Sequence, residues 1–278
     1  MPYHATAFWR SRRSSSYTSV FPKIFVRYFI RLSYDGTQYH GWQVQPNAVS
    51  VQQTLQDALA TLLREPVSVT GAGRTDTGVH ARMMVAHFDS VQCIDGDQLA
   101  YKLNRLLPSD IAVQCIVAVP AEAHARFSAT CRTYHYWVYT HKDPFLRHYA
   151  ARITFPLRFD LMNEAAEHLL SVRDFTSFSK LHTDAKTNIC HVTRAHWEEV
   201  EPGLWRFEIA ADRFLRNMVR AIVGTLVDVG RGKITLAEFD HIIACKDRCS
   251  AGDSMPGHAL ALVRIDYNGV AGLEHFYD

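Results

Sequence analysis

The sequence predicts an α+β fold made of two related halves, each with an antiparallel sheet, and three observations favour it. The chain has 278 residues, 47% of them hydrophobic, which suffices for a sizeable core in one or two domains. Short runs rich in β-branched and aromatic residues alternate with longer runs of helical periodicity. The order of these runs in the first half, β-α-β-β-α-β, roughly recurs in the second half.

The first half starts with a β-branched and aromatic strand that ends at the turn formed by Asp35 and Gly36. Its first helix begins after Ser50, a favourable N-cap, and stops before Pro66. The predicted elements are, in order, strand 24–34, helix 51–63, strands 67–70 and 83–88, helix 97–107 and strand 111–119. This order is the ferredoxin-like split arrangement.

The second half shows a similar succession of elements, and we place the division between the halves, 24–127 and 128–278, next to Phe127. The predicted elements are strand 133–140, helix 161–171, a hairpin of strands 190–200 and 205–210, helices 214–230 and 236–244, and strand 260–267. Two long charged insertions, 142–157 and 180–189, are predicted to be loops. Loops of this length are candidates to contact a large substrate.

Charge and hydropathy narrow the class of protein only partly. The formal net charge is +2, but five basic residues and no acidic residue lie in the first 27 positions, so the remaining chain is slightly acidic. A nucleic-acid-binding protein of this charge gathers its basic residues on one face. No apolar run approaches the roughly 20 residues that cross a bilayer, and we expect a soluble protein.

Residues 1–23 are predicted to be a basic, disordered extension outside the fold. They are rich in Ser and Arg and lack acids, which fits an organelle transit peptide or an irregular start before a fold that begins near Ile24. The six cysteines are scattered and form none of the close pairs of a zinc ribbon. We therefore expect reduced thiols and a cytoplasmic protein, or an organellar one if the extension is a transit peptide.

The most informative segment is GAGRTDTGVHA, residues 71–81, which has three glycines between two predicted strands. Glycine permits positive φ and a close approach of the backbone, so this loop can present Asp76 tightly against another molecule. Arg74 lies two residues earlier, where it favours an ionised carboxylate and is suited to contact a phosphate. A structural turn with a surface ion pair accounts for the same pattern, so the pattern alone leaves both interpretations open.

This segment resembles the catalytic motif of the TruA family of tRNA pseudouridine synthases. Further matches to the family follow in the same order from about Tyr28 to Tyr267. The matching strings are YDG (34–36), GWQ (41–43), SVQ (50–52), HARFSAT (124–130), RTYHY (132–136), DFTSF (174–178), Phe214, MVR (218–220), IVG (222–224) and ACKDR (244–248). Because the matches occur in the family's order and cover most of the chain, each match strengthens the others.

The resemblance implies a fold in which the two halves join around a central RNA-binding cleft, and it implies a reaction. The family isomerises uridines 38, 39 and 40 of the tRNA anticodon stem-loop, by breaking the uracil–ribose bond of a flipped-out base and rejoining the base through carbon 5. It gives Asp76 the role of nucleophile, Tyr134 that of base stacking and proton transfer, and Arg220 that of partner to Asp76. An isomerisation requires no cofactor and no metal, and the sequence has no P-loop and no dinucleotide fingerprint.

Two of these residues also fit a purely structural role. Tyr134 is compatible with a core tyrosine of an aromatic strand, and Arg220 with an arginine that reaches solvent from the edge of a helix. An arginine among apolar neighbours needs a partner, however, and Asp76 is the candidate. Arg74 is implied to hold the target nucleotide out of its stack.

The implied partners are tRNA and a second copy of the chain in a homodimer, with no membrane. Basic residues near the matching motifs are predicted to position the RNA through its phosphates. They are Arg74, Arg82, Lys102, Arg105, Arg126, Arg132, Arg213, Arg216, Lys246 and Arg248.

The sequence departs from the family near its last strand. Members often carry Glu-Gly-Leu-Tyr-Leu there, whereas residues 258–262 are HALAL, which puts Ala261 where the family has an aromatic near the uracil. Two rival functions also stay open. One is a non-catalytic tRNA-binding protein on the same fold. The other is a metal-dependent hydrolase with the ligands Asp76, His80, His87 and Asp89.

Overall fold

A computed structural model describes residues 25–180, 186–274 and 276–277, and in these residues the chain has the predicted α+β architecture. The strands are β1 (Val26–Tyr34), β2 (Thr70–Gly71), β3 (His80–Ser90), β4 (Ile111–Val119), β5 (Cys131–Tyr139), β6 (Ala151–Arg152), β7 (Val192–Glu201), β8 (Leu204–Ala211) and β9 (Leu260–Asp266). The helices are α1 (Val51–Leu63), α2 (Gly96–Leu106), α3 (Phe159–His168), α4 (Met218–Gly230) and α5 (Leu236–Cys245). The predicted extension 1–23 and residues 181–185 of the predicted loop 180–189 lie outside the described residues.

The described strands form one continuous sheet that spans both predicted halves. Its order is β4-β1-β3-β9-β5-β8-β7, with β2 paired to β3 and β6 paired to β5. Neighbouring strands are antiparallel except for β3 with β9 and β5 with β6. The parallel contact of β3 with β9 pairs His80 with Ala261 and Ala81 with Leu262, and this short ladder joins the two halves.

Two large hydrophobic clusters pack helices against this sheet. In the first, Leu55 of α1 and Leu103 of α2 are fully buried against β1, β3 and β4. In the second, Met162 of α3 and Ile222 of α4 are fully buried against β5, β7 and β8. Tyr134 packs against both clusters, which places it at their junction.

The C-terminal residues return to the first cluster. Leu262 and Ile265 of β9, with Tyr267 and Phe276 beyond it, are buried there although they belong to the predicted second half. The division between residues 127 and 128 therefore stays a prediction. Within the described residues, no helix has both the length and the apolar character that crossing a membrane requires.

For two predicted elements, a specific contact or backbone angle explains why the observed bounds differ. The strand predicted at 67–70 shrinks to β2, because the backbone N–H of Val69 bonds Gln56 Oε1 of α1 at 3.0 Å rather than a neighbouring strand. The helix predicted from residue 214 begins only at Met218, because Asn217 has a positive φ of 66°. The short strand β6, inside the predicted loop 142–157, was not predicted.

Candidate active site

The glycine-rich loop between β2 and β3 is held by the turn that follows β1. Trp42 donates its backbone N–H to the carbonyl of Thr75 at 3.3 Å, and the Tyr34 hydroxyl lies 2.9 Å from Thr75 Oγ1. Gly41 has a φ of +88°, and a Cβ there would lie 2.2 Å from the carbonyl oxygen of Thr75, so glycine is required for this approach. These contacts fix the loop at the residue before Asp76.

Two arginines face the carboxylate of Asp76. Arg220 Nη1 lies 3.3 Å from Asp76 Oδ2, and Arg216 Nε lies 3.8 Å from Asp76 Oδ1. The side chains of Asp76 and Arg220 are only 26% and 22% exposed, whereas that of Arg216 is half exposed. Arg220 Nε also donates to the carbonyl of Met255 at 2.6 Å, which fixes the plane of its guanidinium. A partly buried carboxylate is costly without a cation, and here two cations approach it.

Tyr134 of β5 is the third predicted catalytic residue, and its hydroxyl is close enough to Asp76 to feel the charge of that carboxylate. Its ring meets Phe214 edge-on, with 5.1 Å between the centroids. Burial raises the pKa of Tyr134 to about 12, with a smaller upward contribution from the Asp76 charge and a downward one from Arg132. The hydroxyl is therefore protonated at neutral pH.

Arg132 is predicted to bind tRNA, but its guanidinium donates to backbone carbonyls. Nη1 bonds the carbonyls of Ala129 at 2.9 Å and Asp212 at 2.6 Å. Nη2 bonds those of Arg126 at 2.5 Å and Ala72 at 3.4 Å. Ala72 belongs to the glycine-rich loop and Asp212 follows β8, so Arg132 connects this loop to the second half. A phosphate would have to compete with these bonds.

Seven of the other predicted RNA contacts are exposed, namely Arg74, Arg82, Lys102, Arg105, Arg126, Arg216 and Lys246. Arg74 lies in the glycine-rich loop itself, and Lys102 and Arg105 lie on α2. The guanidinium of Arg126 lies 5.7 Å from the ring centroid of Phe127, whose side chain is 77% exposed. An exposed arginine over an exposed aromatic ring is suited to contact a nucleotide.

Three residues predicted to contact RNA differ in whether they already bond other side chains of the protein. Lys246 Nζ lies 2.9 Å from Asp174 Oδ2, and Arg248 Nη2 donates to Ser254 Oγ at 2.9 Å. Arg213, between β8 and α4, is partly buried. Lys246 and Arg248 thus already have partners within the protein.

Ala261 lies on the face of the sheet opposite to Tyr134. In β9 it is Leu262 that pairs with Tyr134, whereas Ala261 pairs with His80 of β3. Because side chains alternate between the two faces of a strand, Ala261 points away from Tyr134. Ala261 therefore does not lie on the face of the sheet that carries Tyr134. Arg82 lines the same cavity as Ala261, apart from the other predicted site residues.

The residues of the metal-hydrolase alternative do not converge on one point. Asp89 forms an ion pair with an arginine at 2.8 Å, and His87 Nδ1 accepts a backbone N–H at 3.2 Å. His80 Nδ1 accepts another backbone N–H at 3.0 Å. Across the described ranges, no three His, Cys, Asp or Glu side chains are grouped so that they hold a metal ion.

Sequence reasoning missed three residues that contact the predicted site. Asn217 lies within the predicted helix 214–230, where the apolar periodicity conceals the turn, and only the tolerance of asparagine for positive φ hints at it. Ser254 and Met255 lie in a segment to which no element was assigned. No local sequence signal connects them to Arg220.

Known proteins match the chain over most of its length. The profile of a family described as tRNA pseudouridine synthase matches residues 31–128 and 165–268, which include Asp76 and Arg220, with Tyr134 between the two segments. The chain belongs to the tRNA pseudouridine synthase family. The motif resemblance is thereby confirmed, and the chain is an isomerase of uridine in tRNA.

Bacterial relatives agree with this membership. The tRNA pseudouridine synthase A of Bacteroides fragilis is 59% identical over 242 residues, which are 87% of this chain and 96% of the relative. The tRNA pseudouridine synthase A of Bacillus subtilis is 43% identical over 241 residues, which are 85% of this chain and 97% of the relative. The matches thus extend over nearly the whole length of these relatives.

Proposed function

We propose that this isomerase modifies uridines of the tRNA anticodon stem-loop, at the family positions 38, 39 and 40, with Asp76 as its nucleophile. The placement of the Asp76 carboxylate carries this proposal, because Arg220 lies 3.3 Å and Arg216 3.8 Å from its two oxygens. A partly buried carboxylate with two cations and a neighbouring tyrosine has the composition of a reactive site.

The proposed reaction conserves the composition of the nucleoside and exchanges one hydrogen with solvent. The carboxylate of Asp76 bonds to a sugar or ring carbon of the target uridine, and the bond between uracil N1 and ribose C1′ breaks. The base turns, C5 bonds to C1′, and the carboxylate leaves. The proton of C5 departs and N1 gains a proton, so that neither oxidation nor reduction occurs overall.

Tyr134 has two proposed tasks, one for its ring and one for its hydroxyl. The ring stacks on the extruded uracil, an interaction worth about 1–3 kcal/mol per base. The hydroxyl enters the reaction as a neutral phenol, because burial raises the pKa of Tyr134 to about 12. It accepts the C5 proton only if it passes its own proton on, and we assign the role of acceptor to the Asp76 carboxylate, whose charge acts on this hydroxyl.

Arg74 is proposed to hold the target nucleotide outside the RNA stack. The reacting atoms are enclosed by neighbouring bases in a stacked strand, and extrusion costs a few kcal/mol. Arg74 is exposed and lies two residues from Asp76, which suits it to contact the extruded nucleotide or its phosphate. We assign phosphate binding to Arg82, Lys102, Arg105 and Arg126, which are exposed.

Homodimer formation and a cytoplasmic location are further proposals that rest on the family resemblance. In the proposed dimer, one tRNA contacts both subunits. Light scattering of the purified protein tests it, with a mass of about twice the 31.6 kDa of one chain as the expected result.

Tritium release from tRNA labelled with [5-³H]uridine tests the proposed reaction. Wild-type protein is expected to release tritium without added cofactor and with EDTA present, because C5 loses its proton during isomerisation. Asp76→Asn keeps the shape of the side chain but removes its charge and nucleophilicity, so it should bind tRNA and release none.

The non-catalytic alternative predicts a different outcome of the same assay. A protein that only binds tRNA would show no release by either wild type or Asp76→Asn, with filter binding of tRNA equal in both. Release by Asp76→Asn at the wild-type rate would overturn the assignment of the nucleophile, and release that EDTA abolishes would overturn the metal-free mechanism.

A further inference from the structure

Asn217 has an unusual backbone conformation for the start of a helix. It precedes Met218, the first residue of α4, and has φ 66° and ψ 3°, in the left-handed region. The residue at this position normally has an extended backbone. Left-handed residues with a Cβ also occur at Arg64 and Lys246, but these end helices, where the conformation is common. A strained backbone at a functional site often has a positioning role.

The turn at Asn217 separates the two arginines that face Asp76. In an unbroken helix, Arg216 and Arg220 would lie one above the other on the same face. The left-handed residue instead makes Arg220 part of α4 and Arg216 part of the segment before it. Arg216 can then contact Asp76 Oδ1 while Arg220 contacts Oδ2.

Side chains hold this turn in place. Asn217 Nδ2 donates to Ser254 Oγ at 2.5 Å, and Arg248 Nη2 donates to the same oxygen at 2.9 Å. The next residue, Met255, accepts from Arg220 Nε at 2.6 Å and donates its backbone N–H to the Arg220 carbonyl at 3.1 Å. One short stretch of chain therefore fixes both the turn and the guanidinium of Arg220.

The same stretch, residues 252–258, also touches the glycine-rich loop. A Cβ on Gly224 of α4 would lie 1.8 Å from the carbonyl oxygen of Asp253, so this stretch packs directly on the helix backbone. A Cβ on Gly257 would lie 2.7 Å from the carbonyl oxygen of Thr77, the residue after Asp76. The stretch thus links the helix that carries Arg220 to the loop that carries Asp76.

We propose that Asn217 is a positioning residue for the isomerisation: its left-handed backbone, held by Ser254 and Arg248, sets Arg216 and Arg220 on the two oxygens of Asp76. The proposal rests on the proposed role of Asp76 as the nucleophile. It gives Arg248 an internal task, the support of Ser254, in place of the tRNA contact that the sequence predicts.

The test compares Asn217→Ala with Asn217→Gly by single-turnover tritium release, tRNA binding and melting temperature. Alanine disfavours the left-handed backbone, whereas glycine adopts it readily, and both lack the bond to Ser254. We expect Asn217→Ala to release tritium about tenfold more slowly at unchanged tRNA affinity, and Asn217→Gly to recover most of the rate.

Asn47→Ala is the matched control, because Asn47 also has a left-handed backbone, with φ 61°, but lies in the exposed turn before α1. It should lower the melting temperature to a similar extent and leave the rate constant of release unchanged. If the rate constant falls in parallel with the melting temperature in both Asn47→Ala and Asn217→Ala, the loss of rate comes from lower stability. That result would contradict a positioning role of Asn217.

Equal loss of rate in Asn217→Ala and Asn217→Gly would overturn the backbone role, as would a wild-type rate in Asn217→Ala. If Asn217→Ala does not fold, Ser254→Ala, which keeps the backbone and removes the supporting bond, is expected to lower the rate about threefold; a wild-type rate would then overturn the proposal. Failure of the proposed function is distinguishable, because it appears as release by Asp76→Asn in the same assay.

Discussion

Arg220 Nη1 lies 3.3 Å from Asp76 Oδ2, although the two residues are 144 positions apart in the chain. Asp76 is in the loop before β3, and Arg220 is in α4, which packs in the other large hydrophobic cluster. Their distance therefore depends on how the two halves of the sheet meet, and the ladder of β3 with β9 sets that relationship. The contact between these two side chains is a property of the whole fold rather than of either motif.

Replacing Arg220 by lysine should separate charge from geometry. Arg220 bonds Asp76 and the carbonyl of Met255 with one planar guanidinium, and an ammonium does not reproduce this arrangement. We expect Arg220→Lys to lower the single-turnover rate of tritium release about 100-fold, which corresponds to about 3 kcal/mol of activation free energy. The affinity for tRNA should stay the same.

Arg158→Lys is the control for this change, because Arg158 also pairs with an aspartate, at 3.0 Å, but on the exposed end of α3. It should isomerise tRNA at the wild-type rate. A wild-type rate for Arg220→Lys would show that any cation at this position suffices.

Local signals in the sequence predict the elements that depend on local contacts. The predicted bounds of strand β4 agree with the structure at every residue. Helix α1 starts after the predicted cap and ends before Pro66 as predicted, with Ser50 Oγ accepting the Gln53 N–H at 3.3 Å. The start of α4 could not be predicted, because Asn217 is held by Ser254, which is 37 residues away. The apolar periodicity of a segment does not predict a contact with a residue so distant in the chain.

The predicted site residues show the same difference between local motifs and contacts that join distant segments. The motif around Asp76 was recognisable, and the resemblance supplied Arg220 as its partner. The sequence did not reveal that Arg132 donates to backbone carbonyls of three separate segments. Every residue has a backbone carbonyl, so the residue types give no signal for such an acceptor. Nor did the sequence reveal that Ala261 and Tyr134 lie on opposite faces, because the face on which a strand residue lies depends on the register of β9 against β5.

Tyr134→Phe should separate the ring of Tyr134 from its hydroxyl. Stacking depends on the ring, which phenylalanine retains, whereas general acid–base transfer contributes about 10²–10⁴-fold to rates. We expect the variant to bind tRNA normally and to release tritium at least about 100-fold more slowly. Tyr139→Phe, which removes a hydroxyl from the same strand within a separate small cluster, should react at the wild-type rate. A fast Tyr134→Phe would leave stacking as the only role of Tyr134.

The pH dependence of the rate gives an independent check on Tyr134. Burial raises the pKa of Tyr134 to about 12, above its ordinary value near 10, so the phenol keeps its proton across the neutral and mildly alkaline range. We expect the single-turnover rate of the wild type to show no loss assignable to Tyr134 between pH 7 and about 10. A decline in that range that Tyr134→Phe removes would contradict the neutral phenol.

Arg132→Lys should affect stability more than RNA binding. The guanidinium donates to the carbonyls of Ala129, Asp212 and Arg126. A hydrogen bond from a charged donor contributes about 1.5–3 kcal/mol. We expect the free energy of unfolding, measured by urea denaturation, to fall by about 2–4 kcal/mol. The slope of log Kd against log salt should stay the same, whereas Arg74→Ala should reduce that slope by about one. A reduced slope for Arg132→Lys would restore Arg132 as a phosphate contact.

His87 makes stability depend on pH in the acid range. The ring is buried, and its pKa is lowered to about 4 by burial and by the charges of Arg27 and His124, against a smaller opposite effect of Asp89. Nδ1 accepts the N–H of Ala125 at 3.2 Å, so a proton on Nδ1 would oppose that donor. Because the folded pKa lies below the unfolded value of about 6.5, the unfolded state binds the proton more readily. The stability present above pH 6.5 is therefore lost as the pH falls toward 4.

Urea denaturation at several pH values measures this contribution. Between pH 7 and pH 5, protonation of the unfolded state at His87 should lower the free energy of unfolding by about 1–2 kcal/mol. His87→Gln cannot titrate but retains an acceptor, so it should flatten the dependence by that amount even if it is less stable at pH 7. His196→Gln, on an exposed position of β7, should leave the dependence unchanged. Equal slopes in His87→Gln and wild type would show that the acid sensitivity comes from other groups.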